Sequence, residues 1–370
     1  MQHLKIALAG NSAWSILNFR EDLIKRLIAN GHKVFVIAPI DSAHEKLRQL
    51  GCEHEDINIS RKGVNPFKDI FLIIKYRILI SKHSFDYVLT FNPKPNLYNC
   101  FASFFSNSRI IVNISGLGSG FINNNLLTKL LIIMYRIAFK KAYKIFFQNV
   151  SDKEIFEDLG ILKNKSSALL PGSGINLELF PKNNNHLLTV NKIYFTFVGR
   201  LIKDKGLIEF IEAAQSCVRQ NTNLFFNICG DIDPGNPSSV DKEFIRRSLS
   251  KNIFFMGHVE DIKGVLEESH CIVLPSYREG LSRSLLEGAA IGIPIITTNV
   301  PGCRELVDEN KKNGYLCRVK DAYDLEKKIL KFSSLDPQAI FELGNNSRKK
   351  AEQDFSVEKV INSYLESINS

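Results

Sequence analysis

A chain of 370 residues exceeds one ordinary hydrophobic core, and its 44% apolar and 24% charged residues are those of a globular protein, not a disordered or fibrous one. Seven cysteines, an odd number without C-x-x-C spacing, exclude a disulfide framework and a zinc-finger site. The net charge of +9 is uneven: residues 1–150 hold 20 Lys and Arg against 9 Asp and Glu, with no acid between Tyr87 and Val150, which points to an anionic partner such as a membrane, a nucleic acid or a phosphorylated substrate.

The N-terminus enters a strand pattern at once, without the features of an export signal, so a reducing compartment and buried free thiols are expected. In the first half, strands are predicted at Lys5–Gly10, Val34–Pro39, Asp86–Thr90, Ile110–Ile114 and Lys144–Gln148. Helical patterns lie between them, including Phe19–Asn30 closed by Gly31 and Asp41–Gln49 closed by Gly51. Ser151-Asp152-Lys153-Glu154 has the form of a capping box, opening a helix that Gly160 closes. A polar stretch, Pro181–Asn191, reads as a linker, and the alternation then restarts. Further strands are predicted at Ile193–Val198, Leu224–Cys229, Ile253–Phe255, Cys271–Leu274, Ile295–Thr298 and Gly314–Arg318, and Val357–Ile368 is a final helix. Alternating helices and near-continuous apolar strands imply an α/β chain of two doubly wound, Rossmann-like domains. The expected division is residues 1–182, residues 192–354, and a C-terminal helix within 355–370 that packs back on the first domain. Each sheet would bind ligands at the carboxyl ends of its strands, and two such domains would face each other across a cleft.

The densest signal is Leu274-Pro275-Ser276-Tyr277-Arg278-Glu279-Gly280-Leu281-Ser282-Arg283-Ser284-Leu285-Leu286-Glu287. It reads as a buried strand, a loop carrying a carboxylate and a glycine, and a helix with Ser282 as N-cap. The free N–H groups of such a helix start favour phosphate. Glu279 and Glu287, on either side of a diphosphate, could each accept from a pair of sugar or ribose hydroxyls; the bland alternative is two solvated acids. Phe195–Val198 runs into Gly199-Arg200, with Lys205 in the next loop. A guanidinium fork and an ammonium at a strand's carboxyl end suit a diphosphate, although an isolated Gly-Arg…Lys is more often a pair of ordinary loop cations.

Together these residues resemble glycosyltransferase family 4, retaining enzymes of the GT-B fold. The resemblance rests on Gly199-Arg200 with Lys205, Gly257-His258-Val259 before Asp261, Glu279 and Glu287 at the Glu-x7-Glu spacing, Val300–Glu305 and Asn313-Gly314. In the first half, Pro93-Lys94-Pro95-Asn96, Gly116-Leu117-Gly118 and Pro171–Asn176 are similar to a branch that builds O-antigens and related glycans on lipid diphosphates. The resemblance implies that Arg200 and Lys205 hold the donor diphosphate, that Glu279 binds the donor sugar, and that Glu287 binds the ribose. It further implies phosphate contacts from Gly280, Leu281, Ser282, Arg283 and Ser284, a base pocket at His258, and donor-side glycines at Gly10, Gly116 and Gly199. Gly10 stands alone in its loop, which departs from the G-x-G-x-x-G dinucleotide fingerprint. Arg20, Lys94, Asn96 and Ser115 are the acceptor-side candidates. Ser115 stands where many members carry a histidine, which leaves any base unassigned, and Ser282 stands where near relatives tend to have proline. The resemblance implies a displacement that uses no metal, so neither a metal nor another cofactor is expected.

Two basic, apolar segments, Phe67–Lys82 and Leu126–Phe147, are too short or too interrupted to span a bilayer. They are expected either to lie on an anionic leaflet or to be core helices with solvated basic faces. The implied function is transfer of a hexose or N-acetylhexosamine from a nucleotide-sugar, UDP-linked by expectation, to a polyprenyl-diphosphate-linked glycan at the inner face of the plasma membrane. The alternatives are a UDP-sugar 2-epimerase-like enzyme and a non-catalytic nucleotide-sugar or membrane scaffold. The cations accompany aliphatic runs without a nucleic-acid motif, which argues against nucleic acid as the partner.

Overall fold

The computed structural model describes residues 3–59, 66–117, 126–183, 191–310 and 312–369. Most of the expected linker and Gly118 of the Gly116-Leu117-Gly118 motif lie outside these residues. The chain divides into two compact units, one of residues 1–173 with 357–370 and the other of residues 174–356. Residues 174–182, assigned to the first domain on sequence grounds, therefore belong to the second.

In the first unit β1 (Lys5–Ala9), α1 (Ala13–Ala29), β2 (Lys33–Ala38), α2 (His44–Gln49), β3 (Glu53–Asp56), α3 (Pro66–His83) and β4 (Tyr87–Phe91) alternate. They are followed by α4 (Pro93–Ala102), β5 (Arg109–Ile114), α5 (Leu126–Ala138), β6 (Ala142–Phe147), α6 (Val150–Asp158) and β7 (Ser167–Leu169). The parallel sheet has the order β3-β2-β1-β4-β5-β6-β7. Side chains alternate across it, as the strand period requires. Ala7, Ala9, Val88 and Val112 meet α3, α4 and α5 on one face, while Ile6, Leu8, Leu89 and Ile111 meet α1 on the other.

Two local expectations change. The cap of α6 is Asn149, whose side chain accepts from the Asp152 amide, so Ser151 lies inside the helix. Within Leu126–Phe147, only the first part is helical, because Ala142–Phe147 is strand β6.

In the second unit β8 (Ile193–Val198), α7 (Leu207–Gln220), β9 (Leu224–Cys229), α8 (Lys242–Ser248), β10 (Ile253–Gly257), α9 (Ile262–Glu267) and β11 (Cys271–Leu274) come first. Then follow α10 (Arg283–Ile291), β12 (Ile295–Thr298), β13 (Gly314–Cys317), α11 (Ala322–Ser333) and α12 (Pro337–Asp354). The order β10-β9-β8-β11-β12-β13 repeats the winding of the first sheet, around a single apolar core. In both sheets the winding direction reverses once, between β1 and β4 and between β8 and β11. Such a switch point opens a crevice at the strands' carboxyl ends.

The last helix, α13 (Val357–Asn369), returns to the first unit. Its Tyr364 is fully buried, with the ring edge-on to Phe91 and Phe146 and the hydroxyl accepting from Asn113 Nδ2 at 2.8 Å. Glu358 pairs with Arg26 at 3.0 Å, and the Tyr87 hydroxyl donates to the Ile368 carbonyl. All seven cysteines are buried and free.

Candidate functional site

Two of the predicted donor residues of the second unit, Lys205 and Glu279, meet at its switch point. The loop after β8 carries Arg200 and Lys205, and the loop after β11 carries Glu279. Lys205 Nζ meets Glu279 Oε1 at 2.5 Å, with both side chains largely buried. An ion pair withdrawn from water needs further polar contacts, and the two loops are stitched accordingly. The Tyr277 amide donates to the Asp204 carbonyl at 2.8 Å, the Ser276 hydroxyl donates to the same carbonyl at 3.1 Å, and the Tyr277 hydroxyl donates to Glu209 Oε1 at 2.6 Å.

Two glycines make this approach sterically possible. Gly206 has φ +73°, and a Cβ there would lie 2.0 Å from the Pro275 carbonyl oxygen. Gly302, after β12, has φ +81°, and its Cβ would lie 2.3 Å from the Glu279 carbonyl oxygen. Either position therefore rejects any larger residue. The Glu279 amide donates to the Pro301 carbonyl and the Ser282 amide to the Gly302 carbonyl, so the third loop sets the height of the second. Buried Cys303 lies in the same cluster; loss of solvation, then the charge of Glu279, pushes its thiol pKa well up.

Ser282 caps α10, its hydroxyl accepting from the Leu285 amide, as its position predicted. This leaves the amides of Arg283 and Ser284 in the first helical turn, where backbone N–H groups have no intrahelical acceptor. Glu287 lies one turn along, and Arg283 Nε donates to its Oε1 at 2.8 Å. Burial raises the Glu287 pKa above the ordinary 4.5, and Arg283 partly offsets the rise. Arg283 also donates to the Gly174 carbonyl at 2.6 Å, so it spans from Glu287 to the first residue of the unit.

Other predicted residues stand apart from this cluster or have different surroundings. Arg200 has a side chain 60% exposed and pairs with Asp233 at 2.9 Å. His258 Nδ1 lies 2.9 Å from an Asp231 carboxylate oxygen, both side chains well exposed. Gly280 is buried and Leu281 half-buried against the core. At Gly199 the nearest atoms to an added Cβ are 3.7 Å away, so packing inside the unit does not demand glycine there.

In the first unit, Gly10 ends β1, and the Asn11 amide donates to the Asn92 side chain at 3.2 Å, joining the two strands of that switch point. Lys94, at the start of α4, pairs with Asp69 at 2.9 Å. Asn96 is 1% exposed and donates to the Asn113 carbonyl. Arg20 is also buried, its guanidinium 4.5 Å above the Phe91 ring and donating to the Phe19 carbonyl. Of the four acceptor-side candidates, Asn96 and Arg20 are thus packed into the unit. Ser115 is exposed, and Gly116 has φ +124°. Among the described residues, no three His, Cys, Asp or Glu side chains form a metal-binding group.

Sequence reasoning missed Tyr277, Glu209, Gly206 and Gly302, which hold the Lys205–Glu279 pair. The glycines had a signal, since Gly206 follows Lys205 in its loop and Gly302 lies in the Val300–Glu305 motif. The Tyr277–Glu209 bond joins positions 68 residues apart and had none.

The family model described as Glycosyl transferases group 1 matches residues 181–354, and that described as Glycosyl transferase 4-like matches residues 5–149. The chain is 30% identical over 347 residues to the N,N'-diacetylbacillosaminyl-diphospho-undecaprenol alpha-1,3-N-acetylgalactosaminyltransferase of Campylobacter jejuni, covering 88% of each protein. It is 26% identical over 315 residues to the UDP-Gal:alpha-D-GlcNAc-diphosphoundecaprenol alpha-1,3-galactosyltransferase of Escherichia coli, covering 81% of this chain and 79% of that one. The crystal structure of Anabaena HepE in complex with UDP-glucose superimposes with a TM-score of 0.80 at 19% identity, covering 99% of this chain and 100% of that one.

Proposed function

The chain belongs to glycosyltransferase family 4, with the GT-B fold, and on that premise we propose that it moves a hexose or N-acetylhexosamine from a UDP-sugar to a polyprenyl-diphosphate-linked glycan, with retention at the anomeric carbon. The observation that carries this reading is the Lys205–Glu279 pair, held between the two loops that leave the switch point of the second sheet.

Lys205 and Arg200 would bind the donor diphosphate, and Glu279 would take hydroxyls of the donor sugar. Glu287 would take the ribose hydroxyls, with Arg283 orienting its carboxylate. The amides of Arg283 and Ser284 would meet a phosphate, and the strand end at His258 would border the base. As the C1–O bond to the diphosphate breaks, negative charge builds on the departing oxygen. The Lys205 ammonium, held in place by Glu279, and the Arg200 guanidinium, once released from Asp233, would stabilise that charge. The acceptor hydroxyl forms the new C1–O bond on the same face, and its proton passes to the departing phosphate oxygen. This displacement uses no protein nucleophile and no metal.

Relatives whose names specify undecaprenol-linked acceptors support a lipid-linked acceptor here, assigned to O-antigen, capsule or related surface-polysaccharide synthesis at the inner face of the plasma membrane. The test is a screen of UDP- and GDP-sugars with a membrane lipid extract as acceptor, in buffer containing EDTA. Labelled sugar should appear in the lipid fraction with the donor's anomeric configuration. No transfer from any donor, with nucleotide binding intact, overturns the reading.

A further inference from the structure

Helix α3 contributes Leu72, Tyr76 and Ile80 to the core of the first unit, yet its opposite side is also apolar. Phe67, Ile70, Phe71, Ile74 and Ile78 are all exposed, Phe67 by 76% and Phe71 by 67%. At the ~100° per residue of an α-helix, these five fall within an arc of about 100°. Lys68, Lys75 and Lys82, seven residues apart, run along one edge of that arc, and Arg77 lies on the other. The single acid of the helix, Asp69, is turned in and neutralised by Lys94.

The pattern continues on neighbouring elements. Arg77 lies 5.1 Å over the ring of Phe105, which is 85% exposed in the loop before β5. On α5, which covers the same face of the sheet, Leu130, Ile133 and Ile137 are exposed in one row, beside Lys129 and Arg136, with Lys140 in the turn that follows. Among the described residues no helix is long and apolar enough to cross a membrane.

From this geometry we infer that the outer faces of α3 and α5, with Phe105, seat the first unit on an anionic lipid surface, the aliphatic and aromatic rows entering the headgroup boundary and the flanking cations meeting lipid phosphate. Apolar rows bordered by cations, on both edges of α3 and on one edge of α5, match an interface that is apolar in depth and anionic at its surface. The inference rests on the lipid-linked acceptor proposed above, because it brings the protein to the plane in which such an acceptor diffuses.

Flotation with phosphatidylglycerol-containing vesicles, against pure phosphatidylcholine vesicles, tests the surface directly. The protein should float with the anionic vesicles only, and added salt should release it. Phe71→Glu/Ile78→Glu should reduce flotation at least tenfold, with an unchanged thermal transition. Each cation near an anionic surface strengthens partitioning about fivefold, so Lys68→Gln/Lys75→Gln should weaken it on the order of 25-fold. With a short, water-soluble acceptor both variants should transfer sugar at the parent rate, and with vesicle-embedded acceptor both should fall.

Equal flotation of the parent and Phe71→Glu/Ile78→Glu overturns the inference. So does failure of the parent to bind anionic vesicles, or a dimer in light scattering that this variant dissociates, which would make a second copy the occupant. Flotation that follows the variants, with no transfer to either acceptor, supports the lipid face and overturns the proposed activity.

Discussion

The two units share one winding and spend their apolar residues differently. In the second unit, the helix that opens at the candidate site turns Leu285, Leu286, Ala289, Ala290 and Ile291 into the core, and its polar residues, Arg283 and Glu287, are spent on each other. In the first, α3 carries apolar residues on both sides, and half of them face outward. A fold that buries its sheet with one apolar stripe per helix needs no second stripe. The excess on α3 and α5 matches the lipid contact inferred above, and the second unit's polar contacts match the donor site proposed within it.

The largest expected effect breaks the first unit itself. Tyr364→Ala removes a ring packed on Phe91 and Phe146, together with the acceptor for Asn113, and truncation of a buried aromatic costs about 3–5 kcal/mol. Thermal unfolding should show a lowered first-unit transition, whereas an unchanged melting curve would mean that α13 is not part of that core.

Lys205→Ala tests the second unit. On the proposed mechanism it removes charge stabilisation at the departing diphosphate, worth ~10²–10³ in rate, and it takes the ammonium partner from Glu279. kcat should fall by that factor while vesicle binding is unaffected; a loss of flotation instead would erase the division of labour between the units.

Gly302→Ala is subtler. It puts a methyl group 2.3 Å from the Glu279 carbonyl oxygen at a φ of +81°, where the backbone strain alone is about 1–3 kcal/mol and the Glu279 loop must also shift, so it should lower kcat more than it raises the KM for donor. Equal activity of this variant and the parent would show that the loop yields freely.

The smallest effect is one of pH. Burial places the Glu287 pKa above the ordinary 4.5, so this carboxylate takes up its proton before a solvated glutamate does as the pH falls. The donor KM should therefore rise on acidification from neutrality, beginning at pH values above 4.5, and Glu287→Gln should show a high KM without that rise. A parallel pH profile for the two proteins would remove Glu287 from the donor site.

Much of the architecture was legible before the structure. Strands β8, β9, β11 and β12 were delimited to the residue, because a parallel strand covered on both faces is largely apolar, and such runs end abruptly. The margins of the first sheet were not legible. Strand β3 is Glu53-His54-Glu55-Asp56, and β7 has three residues; edge strands keep polar side chains toward water and so lack the signal that central strands carry. The capping box at Ser151 misled for a local reason, since Asn149 was an equally competent cap two residues earlier.

The sequence by itself determined the two doubly wound units, the family, and the placing of Arg200, Lys205, Glu279 and Glu287 at strand ends or a helix start. These follow from periodicity and short spacings, which the chain carries locally. Only the tertiary structure decided that Lys205 closes on Glu279, that Arg283 joins Glu287 to Gly174, and that Asn96 and Arg20 are packed inside. It also decided that one side of α3 is left to the outside. Each of these depends on segments distant in sequence meeting at fixed distances, and an amphipathic pattern shows how many apolar faces a helix has, not which of them the fold will cover.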